Sequence, residues 1–168
     1  MNHEIDFLKS VKLLQDLDDN ELNNFYKICK KINILKDHII MKEGEKGDTM
    51  YLFKEGVVEV TNNLTMKIGK KGFEEAEKSM VRLDAQTVNF FGDMSILSES
   101  PRSATIKTLT DCTLYEITKT DFHNFCNSYP AQAYKILKQI SDVLCERIRK
   151  GNKDILKLTT ALSIALSK

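Results

Sequence analysis

The sequence predicts an α+β fold, an antiparallel β jelly roll or small barrel entered by N-terminal helices and followed by C-terminal helices. Two observations predict it. Apolar residues recur at helical spacing near the N-terminus and again beyond Thr118, whereas between Ile32 and Ile117 short β-branched and aromatic runs alternate with turn signals. Those signals fall at Glu43 to Asp48, Lys54 to Gly56, Asn62-Asn63 and Gly69 to Gly72, a spacing suited to short antiparallel strands.

The elements follow in order. Phe7, Leu8, Val11 and Leu14 share a helical face, and Asp18 with Glu21 forms a capping box that opens a second helix through Leu22, Phe25, Tyr26 and Cys29. Strands then fill the middle of the chain, and the charged run Lys70 to Lys78, KKGFEEAEK, reads as a solvated hairpin tip. Thr118 and Asp121 open a short helix holding Phe122, Phe125 and Cys126, and Pro130 suits the first turn of a longer one. Ala133, Ile136, Leu137, Ile140, Val143, Leu144 and Ile148 put a broad apolar stripe along that helix. Gly151 is expected to break it, with Asn152 capping a last segment in which Ile155, Leu158, Leu162 and Ala165 follow a helix-pairing alternation. This divides the chain into a domain over 1–151 and a helical tail over 152–168. Docking of the tail onto the strands and pairing with a second copy or a partner remain open alternatives.

Composition narrows the function classes. The 168 residues can bury a core without staples, and 42% hydrophobic with 29% charged residues is an ordinary globular balance. A formal net charge of +1 supplies no global field for nucleic acid or an acidic membrane, so any anion site is local. Cys29, Cys112, Cys126 and Cys145 form no CxxC pair and no ligand spacing with His3, His38 or His123, which favours free thiols and no metal. The N-terminus lacks the pattern of a signal peptide, and no apolar run approaches the ~20 residues of a membrane span. A cytoplasmic protein is expected.

The most informative stretch is Phe90 to Thr108, FFGDMSILSESPRSATIKT. Gly92 permits a sharp turn and close approach to a ligand, and Asp93 can accept hydrogen bonds from sugar hydroxyls. Ile96 and Leu97 anchor a short helical turn whose first N–H groups point outward. Arg102, just after Pro101, presents a planar fork of donors that matches phosphate oxygens. The layout suits a sugar phosphate.

The run FGDMSILSESPRSAT resembles the phosphate-binding cassette of cyclic nucleotide-binding domains, a family with a catabolite-activator-like β barrel. The stretch Ile39 to Val60, IIMKEGEKGDTMYLFKEGVVEV, is similar to the strand, glycine turn and strand ahead of that cassette, and FLKSVKLLQDLDDNEL resembles its helical entry. Fit lapses only between roughly Asn63 and Lys78, where the family has a tight hairpin.

The resemblance implies a jelly-roll barrel with a short cassette helix and assigns roles. Gly92 and the backbone near Met94 and Ser95 would line the ribose phosphate. Asp93 would take the ribose 2′-hydroxyl, Arg102 with the Ala104 backbone would hold the cyclic phosphate, and Ser103 would sit near both phosphate and base. Asp93 departs from the usual Glu and is one methylene shorter, which weakens that hydroxyl contact or bridges it by water. The implied function is a regulatory module that binds cyclic nucleotide, cAMP favoured over cGMP. It would signal through its C-terminal helices to an unknown effector or by self-association. The alternative is a fold that has lost its ligand and serves as a protein-interaction module. Val143, Leu144, Arg147 and Ile148 are open choices for the residue that caps the purine. No nucleophile elbow, HExxH or Walker motif is present, so an enzyme is not expected.

Overall fold

Leu8, Val11 and Leu14, spaced for one helical face, turn together into the core. They lie in and around helix α1 (Asn2–Ser10) and a 3-10 turn (Lys12–Leu14). The structure is a computed structural model that describes residues 2–67 and 73–167, the side chains of Asn2 and of residues 63–80 being outside the description. Helix α2 (Asp19–Tyr26) opens on the expected capping box: the Asp18 carboxylate accepts from the Asn20 and Glu21 amides, and Glu21 accepts from the Asp18 amide, each at 2.9 Å. This helix is shorter than the sequence suggests. It ends at Tyr26, and Cys29 falls in the link to the first strand, because the chain must extend from Lys30 to pair with the sheet.

Among the described residues eight strands follow: β1 (Lys30–Ile34), β2 (Ile39–Met41), β3 (Thr49–Glu55), β4 (Val57–Lys67), β5 (Phe73–Asp84), β6 (Phe90–Phe91), β7 (Thr105–Thr108) and β8 (Cys112–Thr118). They form two four-stranded antiparallel sheets, ordered β1-β8-β3-β6 and β2-β7-β4-β5, the expected jelly roll. Period-two alternation explains the apolar run of β3. Met50 and Leu52 face the helices, whereas Tyr51 and Phe53 face the other sheet, so both sides of this strand are buried. Phe90 and Phe91 divide in the same way. The result is three layers, helices on the first sheet and the first sheet on the second.

Two turn expectations are corrected. Asn62-Asn63 lies inside β4, beside a register shift between Val60 and Asn62 that absorbs the irregularity without ending the strand. Phe73 to Lys78 of the charged run belongs to β5 and pairs with β4 from Lys67 back to Asn62, so cross-strand bonding builds a strand where periodicity is lacking. Lys70 to Gly72, and with them the turn signal at Gly69 to Gly72, lie outside the described residues.

Helix α3 (Asp93–Leu97) is the single turn after β6, and α4 (Lys119–Ser128) opens with the Thr118 hydroxyl accepting from the Asp121 amide at 3.1 Å. Helix α5 runs from Pro130 to Leu166 without interruption. The expected break at Gly151 does not occur: one interior glycine costs about 1 kcal/mol relative to alanine, too little to end a helix with strong helix formers on both sides. Asn152 is therefore an interior residue and not a cap. Ala133, Ile136, Ile140 and Val143 bury α5 in the core it shares with the 3-10 turn and α4, while the segment from Ile148 onward is exposed along its length. Among the described residues no helix is long and apolar enough to cross a membrane.

Candidate functional site

Pairing of Phe91 with Tyr51 and of Phe90 with Leu52 delivers the chain to Gly92. There the backbone turns left-handed, with φ +80°, and a Cβ would meet the Thr49 carbonyl at 2.9 Å and the Arg102 Nη1 at 3.0 Å. Glycine is thus needed twice, for the turn and for the approach. Ile96 is fully buried and anchors α3, but Leu97 is 42% exposed and takes no part in the anchoring, because α3 offers one face to the core. The Ser95 amide donates to the Gly92 carbonyl at 3.1 Å, so it closes the helical turn and does not point outward.

Arg102 is held from several sides. Its amide donates to the Glu45 carbonyl at 2.8 Å, and its carbonyl accepts from the Gly44 amide at 2.9 Å, which stitches it to the glycine turn ahead of β3. Its guanidinium donates through Nη1 to the Thr49 carbonyl at 2.6 Å and through Nη2 to the Thr49 hydroxyl at 2.7 Å. That hydroxyl in turn donates to the Tyr51 phenol at 3.2 Å, leaving its lone pairs toward Arg102; burial pushes the phenol's pKa up. Gly47 lies against the guanidinium so closely that a Cβ there would sit 2.4 Å from Nε. Arg102 is 7% exposed and makes no ion pair with an acid among the described residues. A buried full charge without a counter-ion is costly, and an anion brought to it recovers that cost.

Asp93 is different. At 3% exposure it is also buried, yet its Oδ2 accepts from Nη1 of Arg147 at 2.8 Å, an ion pair reaching across from α5. The Arg147 guanidinium also stands 5.8 Å from the centre of the Phe90 ring.

All seven residues expected at the site, Gly92, Asp93, Met94, Ser95, Arg102, Ser103 and Ala104, line one cavity. Apart from Arg147, the rest of its described lining is apolar, including Met41, Val60, Leu83, Val88 and Ile106. Of the four α5 residues open for the cap, only Arg147 reaches it: Val143 lies in the core with Leu144 packed against it, and Ile148 faces solvent. Sequence reasoning passed over Gly47 and Thr49, although both lie in or beside the turn it located at Glu43 to Asp48. Among the described residues two guanidiniums and one carboxylate give the lining a formal surplus of one positive charge. Among the described residues no cluster of His, Cys, Asp and Glu gathers to hold a metal.

The chain is similar to known proteins. The family model for the cyclic nucleotide-binding domain matches residues 31–129. A cAMP-dependent protein kinase regulatory subunit from Dictyostelium discoideum is 24% identical over 121 residues, 72% of this chain and 35% of that protein. A CRP-like cAMP-activated global transcriptional regulator from Mycobacterium tuberculosis is 22% identical over 153 residues, 91% of this chain and 62% of that protein. The chain therefore spans less than two thirds of the length of these relatives. Among solved structures, a cyclic nucleotide-binding domain from Methylobacillus flagellatus superposes with a TM-score of 0.73 at 19% identity, covering 92% of this chain and 84% of that one, a likeness of fold. With its matched framework and the cavity its cassette encloses, the chain belongs to the cyclic nucleotide-binding domain family.

Proposed function

We propose that the chain is a cyclic nucleotide sensor, selective for cAMP over cGMP, whose occupancy is relayed by α5. The observation that carries this reading is the buried Arg102 guanidinium, without an acidic partner among the described residues and facing the same cavity as Asp93. A cyclic phosphodiester carries one negative charge and offsets the single surplus positive charge of the lining. A phosphate monoester carries about −1.5 to −2 and overshoots it. Arg102 and the Ala104 backbone take the phosphate, Asp93 the ribose hydroxyl, and Gly92, Met94 and Ser95 the wall between them. The apolar walls suit adenine, which brings fewer polar groups than guanine to a region where Ser103 is the nearby hydroxyl. Both sequence relatives are named for cAMP, which favours the same base.

Relay follows from Arg147. A ribose hydroxyl that takes Asp93 competes with the Arg147 ion pair and so acts on α5 at the point where the helix leaves the body. In this reading residues 1–151 form the binding domain and 152–168 the output tail. The second reading, an interaction module without ligand, is favoured by the same ion pair, since Asp93 is already satisfied.

Thermal unfolding with cAMP, cGMP and AMP separates them. A ligand at 100 times its Kd stabilises the native state by ~2.7 kcal/mol. The sensor reading expects a saturable upward shift with cAMP, a smaller one with cGMP and the least with AMP. No shift with any nucleotide establishes the interaction module.

A further inference from the structure

Helix α5 leaves the body with its apolar side chains uncovered. Every described residue from Ile148 onward is exposed, so the tail does not dock on the strands, which closes one of the two alternatives open from the sequence. Ile155, Leu156, Leu158, Leu162, Ile164 and Leu166 are 61, 68, 71, 58, 61 and 78% exposed. At about 100° per residue, Ile155, Leu158, Leu162 and Leu166 share one side of the helix, whereas Leu156 and Ile164 lie on others. This end of α5 therefore turns apolar side chains in every direction, and from Leu158 to Leu166 it carries no charge. The Thr159 and Thr160 hydroxyls are satisfied within the helix, donating one turn back to the Ile155 and Leu156 carbonyls at 2.7 and 2.8 Å. Cations precede the uncharged stretch. Arg149, Lys150, Lys153 and Lys157 stand against Asp154 as the one acid between residues 149 and 157. Since the whole chain is only +1, the remainder is net acidic, and positive charge is concentrated at the base of this segment.

We propose that the exposed end of α5 inserts into one leaflet of an anionic phospholipid membrane, with the cations of residues 149–157 at the headgroups. A partner helix covers one side only. A seam through Ile148, Ile155 and Leu162 alternates with Gly151, Leu158 and Ala165, so it packs poorly at the glycine and the alanine, and it leaves Leu156 and Ile164 in water. Acyl chains cover every side at once, and a helix bonds its own interior backbone groups, as a hydrocarbon environment requires. The nine residues from Leu158 to Leu166 extend about 14 Å, less than half of the ~30 Å hydrocarbon core, so this stretch enters the bilayer and does not span it. The cations select the lipid, because each Lys or Arg near an anionic surface adds to binding. That membrane contact is the output of the cavity rests on the sensor reading; the contact itself does not.

The test is co-sedimentation of the full chain with vesicles of phosphatidylcholine and phosphatidylglycerol in equal parts, and with vesicles of phosphatidylcholine alone, without and with cAMP. The wild type is expected to pellet with the mixed vesicles and to bind phosphatidylcholine alone at least about tenfold more weakly. Leu162→Glu and Ile164→Glu, on opposite sides of the helix, are each expected to weaken binding to the mixed vesicles at least about tenfold. Their unfolding midpoints should stay near that of the wild type, since both side chains are exposed. Lys150→Gln combined with Lys153→Gln is expected to remove most of the preference for the mixed vesicles. A wild type that stays in solution, equal binding to the two compositions, or a preference that the double variant keeps overturns the proposal. So does an Ile164→Glu variant that binds as the wild type does, which would mean a one-sided contact such as a second copy. A vesicle affinity that ignores bound cAMP supports the insertion and overturns only its role as output.

Discussion

The two charged ends of the cavity are built on opposite principles. The Arg102 end is locked by main-chain bonds to Gly44 and Glu45 and by both donors on Thr49, and its charge is left without an acid among the described residues. The Asp93 end is neutralised, and its partner comes from a helix whose described residues beyond that point are exposed. The comparison teaches a division of labour. A preformed anion site supplies binding, and an occupied carboxylate site couples binding to a movable element.

Arg102→Ala breaks the first half of that comparison and has the largest expected effect. Losing charge-assisted contacts of about 1.5–3 kcal/mol each weakens cAMP binding at least tenfold in a titration calorimeter. Stability of the free protein should move by no more than about 1 kcal/mol, because the lost bonds to Thr49 are offset by removal of a buried uncompensated charge. Unchanged affinity removes Arg102 from the site.

Arg147→Ala tests the second half, with the opposite sign. Freed of its competitor, Asp93 should bind the ribose more readily, so affinity rises severalfold. The ligand-free protein should lose about 1 kcal/mol, a modest figure because Arg147 is half-exposed. A fall in affinity would make Arg147 a ligand contact and not a competitor. Asp93→Glu is a smaller change: restoring the longer acid should hold or tighten binding within about threefold, or about 0.6 kcal/mol. A clear loss would mean that the ion pair to Arg147 requires aspartate.

A control lies outside the cavity and should leave affinity unaltered. Glu4 ties α1 to the sheets through Lys54 at 2.6 Å and the Tyr115 phenol, and these bonds, Lys54 first, lower its pKa from 4.5 to about 2. A depressed carboxylate pKa adds stability that is fully present above 4.5 and is lost as pH falls toward about 2. Glu4→Gln should therefore lower stability at pH 7, flatten the acid limb of the unfolding profile and leave the nucleotide titration as it was. A shifted titration would mean that α1 is coupled to the cavity.

Local chemistry was legible in the sequence. The Asp18 capping box, the Thr118 cap, Pro130 at a helix start and the glycine, acid and arginine of the cassette act over a few residues, so their spacing alone determined them. The seven cassette residues do meet at one cavity because β6, α3 and β7 are near in sequence as well as in space. Long-range competition was not legible. Asn62-Asn63 yielded to the β4–β5 ladder and Gly151 to the continuity of α5, since each breaker costs less than the bonding around it supplies. The same holds for the site. Gly47 and Thr49 matter because they touch Arg102, more than fifty residues away, and Arg147 because α5 packs so as to aim it at Asp93. The sequence by itself determined which groups could hold a sugar phosphate. Only the tertiary structure decided which charge is left waiting for one, because pairing of buried charges depends on which distant elements the packed core brings together.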